Sequence, residues 1–191
     1  MRIARNAFQA VLLLVSAGIA HAVDNPYREE GWAKFKDGRG WGWTSAIDID
    51  KRGNIWVFER CGANSCAGSK VAPLVQLTPQ GKVLRTFGAG MFAFPHGIHI
   101  DRAGAIWVTD ADGKDGKGHQ VVKFSPEGKV LLTLGKAGVA GDGPDTFNRP
   151  SDVLTAPNGD IFVADGHGGD SNARIVKFSS CLLYTSPSPR D

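Results

Sequence analysis

Few residues in this chain have the type and setting to do chemistry, and the five histidines come first. His96 lies in Phe94-Pro95-His96-Gly97-Ile98. A neutral imidazole there can ligate a metal, or it can be a hydrogen-bonded structural residue. Arg60 ends Trp56-Val57-Phe58-Glu59-Arg60, where the ordinary role of an arginine is a surface ion pair. Cys61 and Cys66 enclose a short loop and suit a disulfide in an oxidising compartment. A metal role for them is weaker, because no second cysteine pair or nearby histidine completes a site. His99 alternates with Ile98 and Ile100 and reads as a packing residue, and His119 sits in a Gly/Lys loop without an evident partner. The run from Asp110 to Gly116 looks calcium-like, but Lys114 replaces an expected oxygen ligand and no glutamate follows at the twelfth position, so it reads as a solvated loop. Glycines 135, 138, 141 and 143 do not lead from a strand into a helix, which excludes a nucleotide-binding fingerprint.

The elements that must position these residues form a repeat. Residues 44–60, 95–111 and 150–166 align without gaps, and Trp56, Trp107 and Phe162 recur at intervals of 51 and 55 residues. Each unit reads as a strand, a tight turn at Gly53, Gly104 or Asn158-Gly159, and a second strand rich in β-branched and aromatic residues. A variable loop and a third strand follow. In the first two units, Pro79-Gln80-Gly81 and Pro126-Glu127-Gly128 then turn into a fourth strand; the third unit is expected to lack one. Units of this size with four antiparallel strands describe propeller blades. At the start of the first strand the aligned residues are Ser45, His96 and Ser151, a position on the inner rim of a propeller.

The wording of residues 138–150, 160–166 and 173–178 resembles NHL-repeat propellers, over about residues 42–179. The expected fold is therefore all-β: a β-propeller of NHL repeats, with about three four-stranded blades of six. Blade 1 spans 42–90, blade 2 spans 91–143 and an incomplete blade 3 spans 144–180, after a lead-in at 23–41. Three blades cannot close a ring, so two apolar blade faces should stay uncovered.

Within this frame, residues 56–60, Phe94-Pro95-His96-Gly97-Ile98 ahead of Ile106-Trp107-Val108-Thr109-Asp110, and Ala164-Asp165-Gly166 ahead of 172–176 resemble the peptidyl-α-hydroxyglycine α-amidating lyase family. That resemblance implies cleavage of an α-hydroxyglycine end to a peptide amide and glyoxylate, with a small-molecule or peptide substrate in the channel. It also implies a channel zinc held by three histidines from alternating blades. His96 matches the first of these; Ser45 and Ser151 fit the alternation, and the other two ligands would lie in later blades. Zinc with an open coordination position can polarise substrate oxygens or generate hydroxide. Arg60 matches the family's active-site arginine, which supports the catalytic base and the charge on the substrate. His167 stands where the family has tyrosine, after Asp165-Gly166, and can be a base near neutral pH, an extra ligand or a loop residue without a role. The loop after it is longer, and the departure bears on the reaction more than on the metal. A structural calcium is implied at backbone carbonyls matching Ile47 and Ile98. The alternatives are a non-catalytic NHL propeller that binds a peptide or protein, and a metal-dependent lactonase-type hydrolase.

The 191 residues divide unevenly. Residues 1–22 read as a secretory signal peptide: Arg2 and Arg5, an apolar run too short to span a membrane, and Ala20-His21-Ala22 for cleavage. The mature protein is expected to be secreted or periplasmic, monomeric when full length, and not inserted in a membrane. Residues 181–191, CLLYTSPSPRD, resemble a translated sequencing adapter, so the chain reads as a fragment that is inactive by itself. Hydrophobic residues at 42% and charged residues at 21% are ordinary for a globular protein, and a net charge of +3 argues against nucleic acid. The 25 glycines lack a collagen period and fit a chain of short strands and turns.

Overall fold

A computed structural model describes residues 31–36, 38–181 and 184–187. Residues 1–22, expected from the sequence to be a signal peptide, lie outside these residues. Every regular element among them is a strand: β1 (Thr44–Ile49), β2 (Ile55–Glu59), β3 (Leu74–Leu77), β4 (Val83–Phe87), β5 (Pro95–Ile100), β6 (Ile106–Asp110), β7 (Gln120–Phe124), β8 (Val130–Leu134), β9 (Pro150–Thr155), β10 (Ile161–Asp165), β11 (Arg174–Phe178) and β12 (Tyr184–Pro187). They form three antiparallel four-stranded sheets, β1–β4, β5–β8 and β9–β12, each ordered as in the sequence. The third sheet differs from expectation, because Tyr184–Pro187 pairs with β11 and supplies a fourth strand. An open edge offers a row of unpaired backbone groups, and the extended chain that follows takes it.

The turn between the first two strands repeats because its geometry is demanding. Gly53, Gly104 and Gly159 adopt φ of 77°, 85° and 88°, a region that side chains disfavour. In the first two sheets an aspartate braces this turn. Asp101 accepts hydrogen bonds from the Ala103 and Ala105 amides and from Trp107 Nε1 at 3.1 Å, and Asp50 does the same for Trp56 at 3.1 Å. The third sheet has Ala156 and Phe162 at these two positions. A phenyl ring has no N–H to satisfy, so donor and acceptor are absent together.

Alternation along the second strand divides the core. Trp56 and Phe58 point one way and join Leu74, Phe92, Ile98, Ile106, Val108 and Phe124 between the first and second sheets. Trp107 and Val121 join Val153, Ile161, Val163, Val176 and Phe178 between the second and third. Val57 points the other way, to Val75, Leu77 and Phe35. The lead-in thus covers part of the face expected to be bare, and Phe35 packs on Trp41 with ring centroids 4.5 Å apart. The inner part of that face stays open, with Ile47 65% exposed, and so does the far face of the third sheet, with Leu154 50% and Ile175 54% exposed.

Candidate active site on the inner strands

The first strands of the three sheets, β1, β5 and β9, lie side by side. Each carries a register irregularity at its start: between Thr44 and Ala46, between Pro95 and Ile98, and opposite Ala164 and Asp165. Such bulges re-aim a side chain and leave a ladder group unpaired. In the outer two sheets a serine fills that need: Ser45 Oγ donates to the Phe58 carbonyl at 3.1 Å, and Ser151 Oγ donates to the Ala164 carbonyl at 3.3 Å. In the middle sheet a hydroxyl comes from the partner strand and serves a different group: Thr109 Oγ1 accepts from the Gly97 amide at 2.7 Å. His96, in the place of the serines, turns its ring to the Ser151 carbonyl of β9 instead.

Its imidazole is half-buried, and Nδ1 lies 2.8 Å from the Ser151 carbonyl. A carbonyl can only accept, so Nδ1 carries the proton and the Nε2 lone pair is available. A carbonyl that holds one ring nitrogen in this way fixes the tautomer and orientation a metal-ligating histidine needs at the other. Burial holds His96 below the usual imidazole value; the Ser151 carbonyl opposes this, while His167 and Arg60 push it lower still. The ring is therefore favoured in its neutral, ligand-competent form.

His167 comes to His96 from the third sheet. The two rings meet edge to face with centroids 4.3 Å apart. The His167 amide donates to Ser171 Oγ at 2.9 Å, which closes the loop on itself, and Asn148 Nδ2 holds the loop at the Asp170 carbonyl. Arg60 reaches over from the first sheet. Its Nε donates to the Pro95 carbonyl at 3.1 Å, Nη1 donates to Asn64 Oδ1, and the guanidinium lies 3.7 Å from the Phe94 ring centroid. At 9% exposure it is a buried cation beside His96, not a surface ion-pair residue. Burial lowers its pKa and Asp112 opposes that shift; an arginine remains charged nonetheless. Cys61 and Cys66 form a disulfide with Cα atoms 5.2 Å apart, directly after Arg60.

Gly97 lets β5 and β9 approach. A Cβ there would lie 2.7 Å from the Ser151 carbonyl oxygen and 2.8 Å from Asp152 Cα. Ile47 and Ile98 occupy equivalent places on β1 and β5. Ile98 is 6% exposed, whereas Ile47 is on the open face. Among the described residues there is no group of three or more His, Cys, Asp or Glu side chains able to hold a metal.

Three features escaped the sequence reading. A buried acid closes the second strand of every sheet: Glu59 at 0%, Asp110 at 3% and Asp165 at 1% exposure. Each accepts from an amide ahead of its own first strand: Gly42 for Glu59, Ala93 and Phe94 for Asp110, and Asn148 for Asp165. Asp110 is thus part of the scaffold beneath Phe94-Pro95-His96 and not a solvated loop residue. The acids stand at the same place in all three aligned repeats, which is the signal that could have found them. His99 does more than pack: its Nε2 is 3.0 Å from Thr155 Oγ1 and its Nδ1 is 3.7 Å from Asp48 Oδ2, so it links three inner strands. His119 has a partner, since its Nδ1 lies 3.3 Å from the Arg149 amide, which donates to it.

The sheets, their connections and this inner-strand site define part of a β-propeller. No family model matches the chain. It is homologous to proteins named as α-amidating lyases and as NHL repeat proteins. It is 35% identical over 156 residues to the probable peptidyl-alpha-hydroxyglycine alpha-amidating lyase of Caenorhabditis elegans, covering 73% of this chain and 42% of that protein. It is 29% identical over 159 residues to human NHL repeat-containing protein 3, covering 80% of this chain and 43% of that protein. A streptogramin B lyase structure shares the fold at a TM-score of 0.51 and 17% identity, covering 76% of this chain and 40% of that one. The chain therefore spans less than half the length of these relatives.

Proposed function

We propose that this chain belongs to an exported, zinc-dependent propeller lyase that cleaves peptidyl-α-hydroxyglycine to a peptide amide and glyoxylate. The observation that carries the reading is His96 itself: a half-buried imidazole whose Nδ1 is fixed on Ser151, leaving Nε2 for a metal, with His167 against its ring and Arg60 held on the Pro95 carbonyl next to it. The names of the sequence relatives agree with it. His96 would hold zinc together with ligands from outside the described residues, and zinc supplies a Lewis acid for the substrate's oxygens. Calcium, held through the Ile47 and Ile98 carbonyls, would be structural.

The reaction consumes no water. The hydroxyl proton leaves, its O–H electron pair forms the carbonyl of glyoxylate, the C–N bond breaks, and the amide nitrogen takes up a proton. In this reading His167 accepts the hydroxyl proton and returns one to nitrogen. Arg60, buried and fixed by Pro95 and Asn64, supplies the permanent positive charge that the substrate carboxylate needs. The 4.3 Å ring contact also supports a second role for His167, as a further ligand beside His96. The test is turnover by the full-length protein on a peptidyl-α-hydroxyglycine, read as glyoxylate and amide by mass spectrometry. Equal amounts of both products are expected, with kcat reduced at least about a hundredfold in His167→Ala and Arg60→Ala. No glyoxylate from metal-loaded wild type would end the lyase reading. Loss of zinc from His167→Ala would favour ligation over proton transfer.

A further inference from the structure

A cavity of about 570 Å³ opens beside this site, lined by Phe94, Asp112, Lys114, His119, Asn148 and Arg149 among others. We propose that it is the subsite for the acyl-side residues of the peptide whose α-hydroxyglycine end reacts at His96, and that it selects an acidic over a basic neighbour; this rests on the lyase reading above.

The cavity shares a wall with the site. Phe94 lines it, carries the Arg60 guanidinium on its ring at 3.7 Å, and stands two residues before His96. Arg149 lies on the other side, with Nη1 3.5 Å from where a Cβ on Gly169 would be, which puts it against the loop that carries His167. An extended peptide advances ~3.3 Å per residue. A substrate anchored by its carboxy end between Arg60 and His96 would pass Phe94, the wall that the site and this cavity share, on its way out.

The walls are built, not incidental. His119 and Arg149 hold φ of 55° and 66°, left-handed values that non-glycine residues seldom adopt and that tend to occur at ligand sites. The Arg149 amide donates to His119 Nδ1, and the neighbouring Asn148 amide donates to Asp165 at 2.8 Å, so both turns are fixed from below. Asp112 Oδ1 takes Arg149 Nε at 2.8 Å and orients the guanidinium. Lys114 and Arg149 against Asp112 leave the rim with excess positive charge, while Ala93, Phe94 and Ala140 give an apolar floor. That combination suits an extended peptide with an acidic side chain.

The experiment compares paired substrates, Glu-α-hydroxyglycine and Lys-α-hydroxyglycine peptides of equal length, on the full-length, metal-loaded protein. Wild type should show a KM about fivefold lower for the acidic neighbour. Arg149→Gln should bring the ratio close to one, and Arg149→Lys should keep part of it. Turnover of both peptides with an unchanged KM ratio in Arg149→Gln, or with no preference in wild type, would overturn the subsite and leave the lyase reading intact. No turnover of either peptide would overturn both.

Discussion

His96 lies on β5 and His167 in the loop after β10, 71 positions apart in the chain, yet their ring centroids lie 4.3 Å apart. Two conditions allow this. The bulge at the start of β5 turns His96 inward, and Gly97 lets β9 and the loop after β10 come close enough to deliver His167. The candidate site is thus a property of the contact between two sheets, so perturbing the contact should disturb the site before it unfolds either sheet.

Gly97→Ala tests that dependence. The added methyl would meet the Ser151 carbonyl oxygen at 2.7 Å and Asp152 Cα at 2.8 Å, backbone atoms that cannot step aside singly. A loss of about 1–3 kcal/mol is expected in chemical denaturation of the full-length protein. The His96 Nδ1 proton, identifiable by NMR through its bond to Ser151, should exchange faster. An unchanged denaturation midpoint would contradict the tight β5–β9 approach.

Asp110 should give the fold a pH dependence of known sign. Burial outweighs the hydrogen bonds from Ala93 and Phe94 and raises its pKa from 3.8 to about 6. The folded state therefore favours the neutral carboxyl. Its contribution is complete below the unfolded value of 3.8 and is lost as pH rises through about 6. Asp110→Asn stays neutral, so wild type should lose stability relative to the variant between about pH 4 and about pH 7. Parallel stability profiles across that range would contradict the assignment.

The Asp101–Trp107 bond predicts a non-additive pair. Burial works against the Asp101 charge, but the hydrogen bonds from Trp107 and Ala105 and the Lys123 ammonium hold its carboxyl below the usual value. Asp101→Ala alone strands the indole N–H and two turn amides, and Trp107→Phe alone removes one donor. The double change reproduces what the third sheet has in Ala156 and Phe162. A double-mutant cycle should show coupling of about 1 kcal/mol; strict additivity would show that the bond has no net worth.

Much of this was legible in the sequence, and the misses share a cause. Strand positions followed from alternation and from Gly53, Gly104 and Gly159, because those signals are local. The alignment of Ser45, His96 and Ser151 marked the bulge position without showing the bulge. Thr109, whose hydroxyl accepts from the Gly97 amide, could not be read without the strand register. His167 was noticed only as a substitution within a resemblance, since loop residues meet partners that sequence spacing does not encode. His99 read as a packing residue and His119 as unpartnered for the same reason: their partners lie on other strands and loops, at Asp48, Thr155 and Arg149. The fourth strand of the third sheet was missed because pairing to an open edge needs little specific sequence.

The most direct measurement is the zinc content of the full-length protein, purified without chelator and dialysed, for wild type and His96→Ala. Ligation by His96 predicts bound zinc in wild type and a loss of about tenfold or more in affinity for the variant, with its denaturation profile otherwise that of a folded propeller. Equal zinc content and affinity in the two proteins would contradict the assignment of His96 as a metal ligand.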